Sequence, residues 1–400
     1  MAEVNESKRA LIGNALAELV ATARSGGPRN RIGLMAAGSE LPVEEFLLGA
    51  GTAMRRDSRL QVVGLGPRPD APLPEGMDWI ETPDCEADIA AAMEKALDSK
   101  GADALEGAVA LHYPFPVGVT TMGRAFTPAR GRAMILASTT GISAPQRACA
   151  MLRNAVYGLA TAKAMGIADP GLGVLNLDAA PQVMRALSRM AEKGYAVRFG
   201  QSMRKDGGAL LRGNDILAGA VDVCVCDTLT GNVLAKVFAA FGTGGGYEAA
   251  GWGYGPSVGE GWNKVVSIIS RASGAPVIAN ALSYTAQAVR GGLPARVAAE
   301  LRAARAAGLD EELEGLMPRP EAGSGDVPVM PPVVPTDEEI HGIDVLDLEN
   351  RRACALEMKV STPKEPWAAP GRWSSWPSAG LEKGQGAAYG GGPICKGIAE

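Results

Sequence analysis

The sequence has few of the residues that mark several protein classes. Six cysteines among 400 residues are too few for a disulfide framework, and two histidines leave little for a metal site. No apolar run is long enough to span a bilayer, and the N-terminal residues MAEVNESKRA lack the basic and apolar regions of a signal peptide. The net charge of −5 favours neither nucleic acid nor an anionic membrane surface. We therefore expect a cytoplasmic protein with no metal, no cofactor, and no nucleic-acid or membrane partner.

Aromatic residues are also scarce, at 5%, whereas the apolar fraction of 46% and the charged fraction of 21% are ordinary. This composition is typical of a soluble α/β protein with a substantial core. The length indicates two domains, or one bilobal domain with extensions.

Acidic residues are absent between positions 107 and 168. Six basic residues fall in the same stretch: Arg124, Arg130, Arg132, Arg147, Arg153 and Lys163. We expect them to give a positively charged cleft, to which the neighbouring turn 138–141 adds hydroxyl and backbone donors. The alternative is that they pair with carboxylates elsewhere in the chain.

Buried strands alternate with helices from position 171 to position 241, as in a parallel sheet. The last unit has the clearest pattern. The apolar run 221–226 predicts a strand, the residues DTLTG at 227–231 predict a turn, and 232–241 has helical periodicity. A helix N-terminus surrounded by threonine, asparagine and lysine suits a phosphate-sized anion.

The predicted helix has two distinct faces. Asn232 and Lys236 lie one turn apart on the face expected to meet the ligand. Val233, Val237 and Phe241 follow the i, i+4, i+8 spacing expected of the buried face.

The C-terminal part changes character. Residues 317–335 are rich in proline and predict an extended linker. Thr336 and Glu339 fit a capping box that opens a helix to about Val360. Half of the tryptophans lie in the last forty residues, which we expect to dock on the body of the protein or on a partner.

Several of these segments resemble known families. LGVLNLD, RGNDILAG and VCDTLTGNVLAK resemble the phosphate acyltransferases of bacterial phospholipid synthesis. YEAAGWGYGP and the turn SRASG at 270–274 are similar to phosphotransacetylases, which share that fold. HYPFP, TPARG, TTG, RGND, DTLTGN, GYGP and SRASGAPV resemble, in this order, the α subunits of component C of glycine/sarcosine/betaine reductase complexes. Together the motifs span roughly residues 100 to 290.

The resemblance implies a bilobal α/β fold like that of isocitrate and isopropylmalate dehydrogenases, with a cleft between two α/β lobes. We expect the acyltransferase-like domain at 1–316, with one lobe at 1–140 and 270–316 and the other at 141–269. The linker at 317–335 and a helix and tail at 336–400 would follow. A nucleotide-dependent dehydrogenase is disfavoured, because Gly64-x-Gly66 is followed by proline rather than by a helix.

The implied reaction moves an acyl group, acetyl in the first instance, from a protein-bound thioester to inorganic phosphate and releases an acyl phosphate. The implied partners are an acyl-thioester donor protein and a ketoacyl-synthase-like β subunit, and we expect an oligomer within a reductase complex. Two alternatives stay open. One is a non-catalytic scaffolding subunit, and the other is a phosphate acyltransferase that depends on acyl carrier protein or coenzyme A.

The resemblance also implies roles for particular residues. Arg271 would bind phosphate, and Asn232 or a backbone N–H of the 230–232 turn would stabilise the oxyanion, with Lys236 adding positive charge. The other positions matched to the cleft are Ser138, Thr139, Thr140, Thr228, Thr230, Gly231 and Ser270.

One position departs from the phosphotransacetylase pattern. Val277 stands where those enzymes have an aspartate six residues after the arginine, which argues against the same handling of free coenzyme A. The component C pattern implies instead an acylated cysteine in the C-terminal part. Cys395, beside Lys396, is the first candidate and Cys354 is the second. Cys224 and Cys226 alternate with valines, and we expect them in the core.

Overall fold

The computed structural model describes residues 29–101, 104–205 and 207–317. The described residues belong to one compact unit. The predicted proline-rich linker after residue 317, the predicted C-terminal helix and the tail lie outside the described residues. The division into lobes at positions 141 and 270 stays a prediction.

Twelve strands of the described residues form one sheet. They are β1 (Asn30–Met35), β2 (Leu60–Gly66), β3 (Asp78–Glu81), β4 (Gly107–Ala110), β5 (Val119–Phe126), β6 (Ala133–Gly141), β7 (Gly171–Leu175), β8 (Arg198–Phe199), β9 (Leu210–Leu211), β10 (Val223–Val225), β11 (Gly255–Gly259) and β12 (Val266–Ile268).

Helices cover both faces of this sheet. They are α1 (Val43–Arg56), α2 (Glu86–Asp98), α3 (Arg147–Ala164), α4 (Ala180–Glu192), α5 (Gly213–Ala218), α6 (Thr228–Ala240), α7 (Ala275–Arg290), α8 (Leu293–Ala306) and α9 (Leu309–Leu316). Among the described residues, no helix is both long enough and apolar enough to cross a membrane.

The sheet consists of two parallel halves joined by antiparallel strands. The order is β3-β2-β1-β4-β12-β11-β5-β6-β10-β7-β8, and β9 also pairs with β7. In this order, the first five strands, from β3 across to β12, are mutually parallel, and so are the last four, from β6 across to β8. The two strands between these halves, β11 and β5, pair antiparallel with each other and with the adjacent strand of each half. A parallel sheet with crossover helices confirms the α/β class predicted from the alternating pattern.

The strands carry continuous apolar runs because helices bury both sheet faces. All four residues of β4 and all three of β10 are buried. One core cluster packs α2, α5 and α6 against one face along both halves of the sheet. Cys224 and Cys226 lie in this interior, as predicted, and burial raises the pKa of the Cys224 thiol to about 12.

The helix α6 corrects two predictions about the segment after β10. It begins at Thr228 rather than Asn232, because the Asp227 carboxylate accepts a hydrogen bond from the backbone N–H of Thr230 at 2.8 Å. The predicted buried face is wrong. Val233, Val237 and Phe241 are 49%, 51% and 74% exposed.

The buried face of α6 is made of its smallest residues. Gly231, Ala235 and Ala239 are the buried members of the helix. A Cβ added at Gly231 would overlap the carbonyl oxygen of Ser138 on β6. The helix therefore packs against the sheet at a distance that only small side chains allow.

The basic residues between positions 107 and 168 do not form the free positive cleft that we expected. Most of them bind carboxylates from other segments: Arg132 with Asp222, Arg147 with Asp178 and Asp227, Arg153 with Glu260, and Lys163 with Glu300. Arg124 lies over the ring of Trp252 at 4.4 Å. The local excess of positive charge is thus largely neutralised by segments distant in sequence.

Asp215 of the RGND motif is a buried structural carboxylate. It accepts hydrogen bonds from the backbone N–H groups of Met203 at 2.7 Å and Arg212 at 2.8 Å, and from the Ser202 hydroxyl at 3.0 Å. Burial alone would raise its pKa, but these hydrogen bonds lower the pKa below its ordinary value. This motif therefore fixes the start of α5.

We expect Asp215→Asn to lower the free energy of unfolding by about 1–2 kcal/mol at pH 7. Because the folded-state pKa is lowered, the ionised carboxylate stabilises the fold above its unfolded pKa of about 3.9, and this contribution is lost as the pH falls through the folded value. Urea denaturation at a series of pH values measures the effect, with exposed Asp70→Asn as control. A difference that stays constant down to pH 3 would contradict the assignment.

Candidate functional site

Residues 138–141, which the sequence predicted as a turn, instead form the C-terminal end of strand β6. This Ser-Thr segment is hydrogen-bonded to the N-terminus of α6. The Thr228 hydroxyl donates to the carbonyl oxygen of Gly141 at 3.0 Å and accepts from the Ser138 hydroxyl at 2.8 Å. The Asn232 side-chain amide donates to the carbonyl oxygen of Thr139 at 2.9 Å. The predicted Ser-Thr turn and the predicted helix start are therefore brought together.

Ser138 and Thr139 are fully buried, so they hold the end of β6 rather than face a ligand. The Thr139 hydroxyl donates to the carbonyl oxygen of Tyr254 at 2.6 Å. Thr140 is only half-buried, and its hydroxyl accepts from that of Thr121 at 3.0 Å. Of these three residues, Thr140 is the one that reaches the surface.

Tyr254 is the point at which the predicted elements meet. Its carbonyl oxygen binds Thr139, and its backbone N–H donates to Ile268 on β12 at 2.8 Å. Its hydroxyl accepts from Lys236 Nζ at 2.9 Å and donates to Glu248 Oε1 at 2.5 Å. The tyrosine thus connects β6, α6 and β12.

Glu248 connects Tyr254 to the turn that contains Ser270 and Arg271. Its second carboxylate oxygen accepts from the Ser273 hydroxyl at 3.0 Å, and the Ser273 oxygen accepts from the backbone N–H of Ser270 at 3.0 Å. The backbone N–H of Glu248 donates to Ala272, and that of Gly274 donates to Glu248, both at 2.9 Å. A buried carboxylate therefore fixes the conformation of the whole turn.

The electrostatics of this network are balanced. Burial, together with the charge of Glu248, raises the pKa of Tyr254, so the phenol stays protonated and donates to the carboxylate. Lys236 supplies a positive charge, with its Nζ 4.8 Å from the centre of the Tyr254 ring. The buried negative charge of Glu248 is thereby compensated through the tyrosine.

Arg271 is exposed at the tip of this turn. Its backbone carbonyl accepts from the N–H of Glu40 at 2.9 Å and from the Ser39 hydroxyl at 3.3 Å, which fixes the main chain. Within residues 29–101, 104–205 and 207–317, its guanidinium has no hydrogen bond or ion pair. Arg147, by contrast, binds two carboxylates. The guanidinium of Arg271 is therefore available to an anion.

Not every predicted residue joins the network directly. No hydrogen bond joins Asn232 to Arg271 among the described residues, and the hydrogen bonds that link their segments run through Thr139, Tyr254 and Glu248. The backbone N–H of Thr230 is already bound to Asp227. Cys354 and Cys395 lie outside the described residues.

Sequence reasoning missed Tyr254 and Glu248 as parts of the site. Both lie in the segment YEAAGWGYGP, whose resemblance to phosphotransacetylases was the available signal. At Val277, the side chain is buried in the core between α1 and α7, which leaves no carboxylate at that position. Val277, which departs from the phosphotransacetylase pattern, therefore packs in the core.

Comparisons with known proteins identify a family and similar proteins. Residues 30–321 match the family described as "Fatty acid synthesis protein". The chain is 43% identical over 343 residues to the glycine/sarcosine/betaine reductase complex component C subunit alpha of Peptoclostridium acidaminophilum, covering 85% of this chain and 87% of that protein. A branched-chain phosphotransacylase from Enterococcus faecalis V583 aligns with a TM-score of 0.43 and 17% identity, covering 64% of this chain and 99% of that one.

Proposed function

The chain belongs to the fatty acid synthesis protein family and is a relative of reductase component C α subunits, and from this premise we propose that it transfers an acyl group from a thioester to inorganic phosphate. The product is an acyl phosphate, acetyl phosphate in the simplest case. We also propose the two-lobed architecture of the isocitrate and isopropylmalate dehydrogenases.

The proposed step is nucleophilic substitution at the thioester carbonyl. A phosphate oxygen forms the new C–O bond, the C–S bond breaks, and the sulfur leaves as thiolate with the electron pair of that bond. The proton of monohydrogen phosphate passes to the thiolate. Phosphate must be held against the carbonyl carbon, and the negative charge on the carbonyl oxygen must be stabilised as the tetrahedral intermediate forms.

The observation that carries this proposal is the exposed guanidinium of Arg271, which has no acidic partner among the described residues. Guanidinium binds phosphate through two parallel N–H donors. The turn that holds it is fixed by Glu248, so the arginine projects from a rigid base. Preorganised donors of this kind favour an anion without a large cost of ordering.

The start of α6 is our candidate for the oxyanion site. Asn232 uses one amide hydrogen on Thr139 and retains a second donor, and the helix N-terminus adds a partial positive charge. Lys236 contributes further positive charge through the Tyr254 network. Ser138, Thr139 and Thr228 hold these groups in position.

The relative is named as one component of a complex, and on this basis we propose that the chain works with partner subunits. One would be a ketoacyl-synthase-like β subunit, and another protein would deliver the acyl thioester. A cysteine of the C-terminal part, Cys395 or Cys354, would carry the acyl group before phosphate attacks it. We propose that the assembly contains more than one copy of this chain.

The proposal is tested by phosphate dependence. Full-length protein, isolated with the subunits that copurify with it, is given acetyl N-acetylcysteamine thioester with and without orthophosphate, and acyl phosphate is trapped as its hydroxamate. We expect thiol release and hydroxamate to rise together with phosphate and to saturate. Thiol release that is independent of phosphate, without hydroxamate, would indicate a hydrolase. No turnover of either kind would favour the scaffolding subunit.

A further inference from the structure

A pocket of about 360 Å³ lies beside the C-terminal end of β6. Its lining comes from the segment after β4, from the end of β6 with the residue after it, and from the end of β12: residues 111–117, 140–142 and 268. Thr140 and Gly141 therefore belong both to this pocket and to the end of β6 that is hydrogen-bonded to α6. Pockets of this size bind small organic ligands.

Two of the three polar side chains that line the pocket lie against carboxylates of the protein. The Tyr113 hydroxyl donates to Glu94, and His112 Nδ1 lies 3.3 Å from Glu86 Oε1. The Thr140 hydroxyl accepts from Thr121. A ligand would therefore find few free hydrogen-bonding side chains here, which favours an apolar ligand over one that needs polar partners.

The remaining lining is apolar and partly open to solvent. Val117 and Ile142 are 70% and 53% exposed, and the backbone N–H of Gly118 donates to the carbonyl oxygen of Ile142 at 2.7 Å. Phe115 forms an aromatic wall, with its ring 4.8 Å from that of Tyr113 and 6.2 Å from that of Trp262. Two exposed aliphatic side chains beside an aromatic wall gain free energy when an apolar group covers them.

We propose that this pocket binds the aliphatic part of the acyl group and that it accepts chains longer than acetyl. The inference rests on the proposed acyl transfer and names its substrate class. Thr140, which lines the pocket, directly follows Thr139, whose carbonyl oxygen accepts the hydrogen bond from Asn232. An acyl carbonyl bound near Asn232 would therefore have Ile142 and Val117 within reach of its alkyl chain. An acetyl group alone would leave most of the volume to water.

The test places a larger side chain at the rim of the pocket. Ile142→Trp adds bulk at an exposed position, so the fold should tolerate it, and Leu48→Trp on α1 is a matched control because Leu48 is also 53% exposed and does not line the pocket. We measure kcat/KM for acetyl and butyryl N-acetylcysteamine thioesters with the full-length protein and its copurifying subunits. Ile142→Trp should lower the butyryl-to-acetyl ratio of kcat/KM about tenfold or more, whereas Leu48→Trp should leave it unchanged.

A binding measurement tests the pocket separately from the proposed acyl transfer. Calorimetry follows the binding of butyryl N-acetylcysteamine thioester to wild type and to both variants without phosphate. Binding that Ile142→Trp weakens, without phosphate-dependent turnover, would support the pocket and reject the acyl transfer. Turnover whose chain-length profile is the same in wild type and Ile142→Trp would support acyl transfer and overturn the pocket assignment. If Ile142→Trp lowers kcat/KM equally for both thioesters, the pocket binds the N-acetylcysteamine arm that they share. This result would also overturn the pocket assignment.

Discussion

Arg271→Ala should lower the kcat/KM for phosphate about 100-fold or more, because it removes the cation that holds the nucleophile and balances its charge in the transition state. The fold should be almost unaffected. The guanidinium is exposed and without a partner among the described residues, and only the main chain of Arg271 is bound, to Ser39 and Glu40. We expect the free energy of unfolding to change by less than about 0.5 kcal/mol. Steady-state kinetics and urea denaturation measure the two quantities.

Two variants make this result interpretable. Arg302→Ala removes an exposed arginine of α8 that likewise has no ion pair among the described residues, and it should leave kcat/KM unchanged. Arg271→Lys keeps the charge but loses the planar pair of donors, and it should recover only part of the activity. If Arg271→Ala loses no more activity than Arg302→Ala, Arg271 does not bind phosphate.

Gly231→Ala should destabilise the protein by about 3 kcal/mol and abolish most of the activity. The added methyl group would overlap the carbonyl oxygen of Ser138 and would lie 3.0 Å from the Cys226 sulfur. These neighbours are backbone and buried side chain, so the start of α6 must move away from β6. The hydrogen bonds of Thr228 and Asn232 to the end of β6 would be strained by the same movement. Urea denaturation and phosphate-dependent turnover measure the two effects.

Gly242→Ala is the matched control for this substitution. Gly242 follows α6, and a Cβ built there has open space around it. We expect its stability to match that of the wild type or slightly exceed it. A Gly231→Ala protein as stable and active as the wild type would show that the close contact between α6 and β6 is not required.

The sequence predicted the elements whose patterns are local. The β-branched run before Asp227 formed β10, and its two cysteines were placed correctly in the core. The order of motifs led to the family and to the turn at Ser270. These signals depend on neighbours in sequence, which a single chain displays directly.

The sequence did not predict which face of α6 is buried, because hydrophobicity alone selected the wrong stripe. Val233 and Val237 have the spacing of a core-facing stripe, but the close approach of β6 leaves room only for Gly231 and Ala235 on the buried side. Packing distance is a property of two elements together. A pattern within one helix does not contain it.

The predictions about the basic stretch and about the site residues were incomplete for a related reason. Arg132 and Arg153 are neutralised by Asp222 and Glu260, which are distant in sequence and adjacent only after folding. Glu248 appears in the sequence as an isolated acid near glycines, and only the fold brings it against Tyr254 and Ser273. Long-range partners of charged groups therefore required the structure.

The central claim is that orthophosphate itself attacks the acyl carbon, and labelled phosphate tests this most directly. The protein, with its copurifying subunits, is given acyl thioester and orthophosphate whose oxygens are all ¹⁸O, and the acyl phosphate is analysed by mass spectrometry. We expect the acyl phosphate to retain every labelled oxygen of the phosphate, including the one that bridges to the acyl carbon. Formation of the free carboxylic acid with unlabelled oxygen from water, and no labelled acyl phosphate, would contradict the claim.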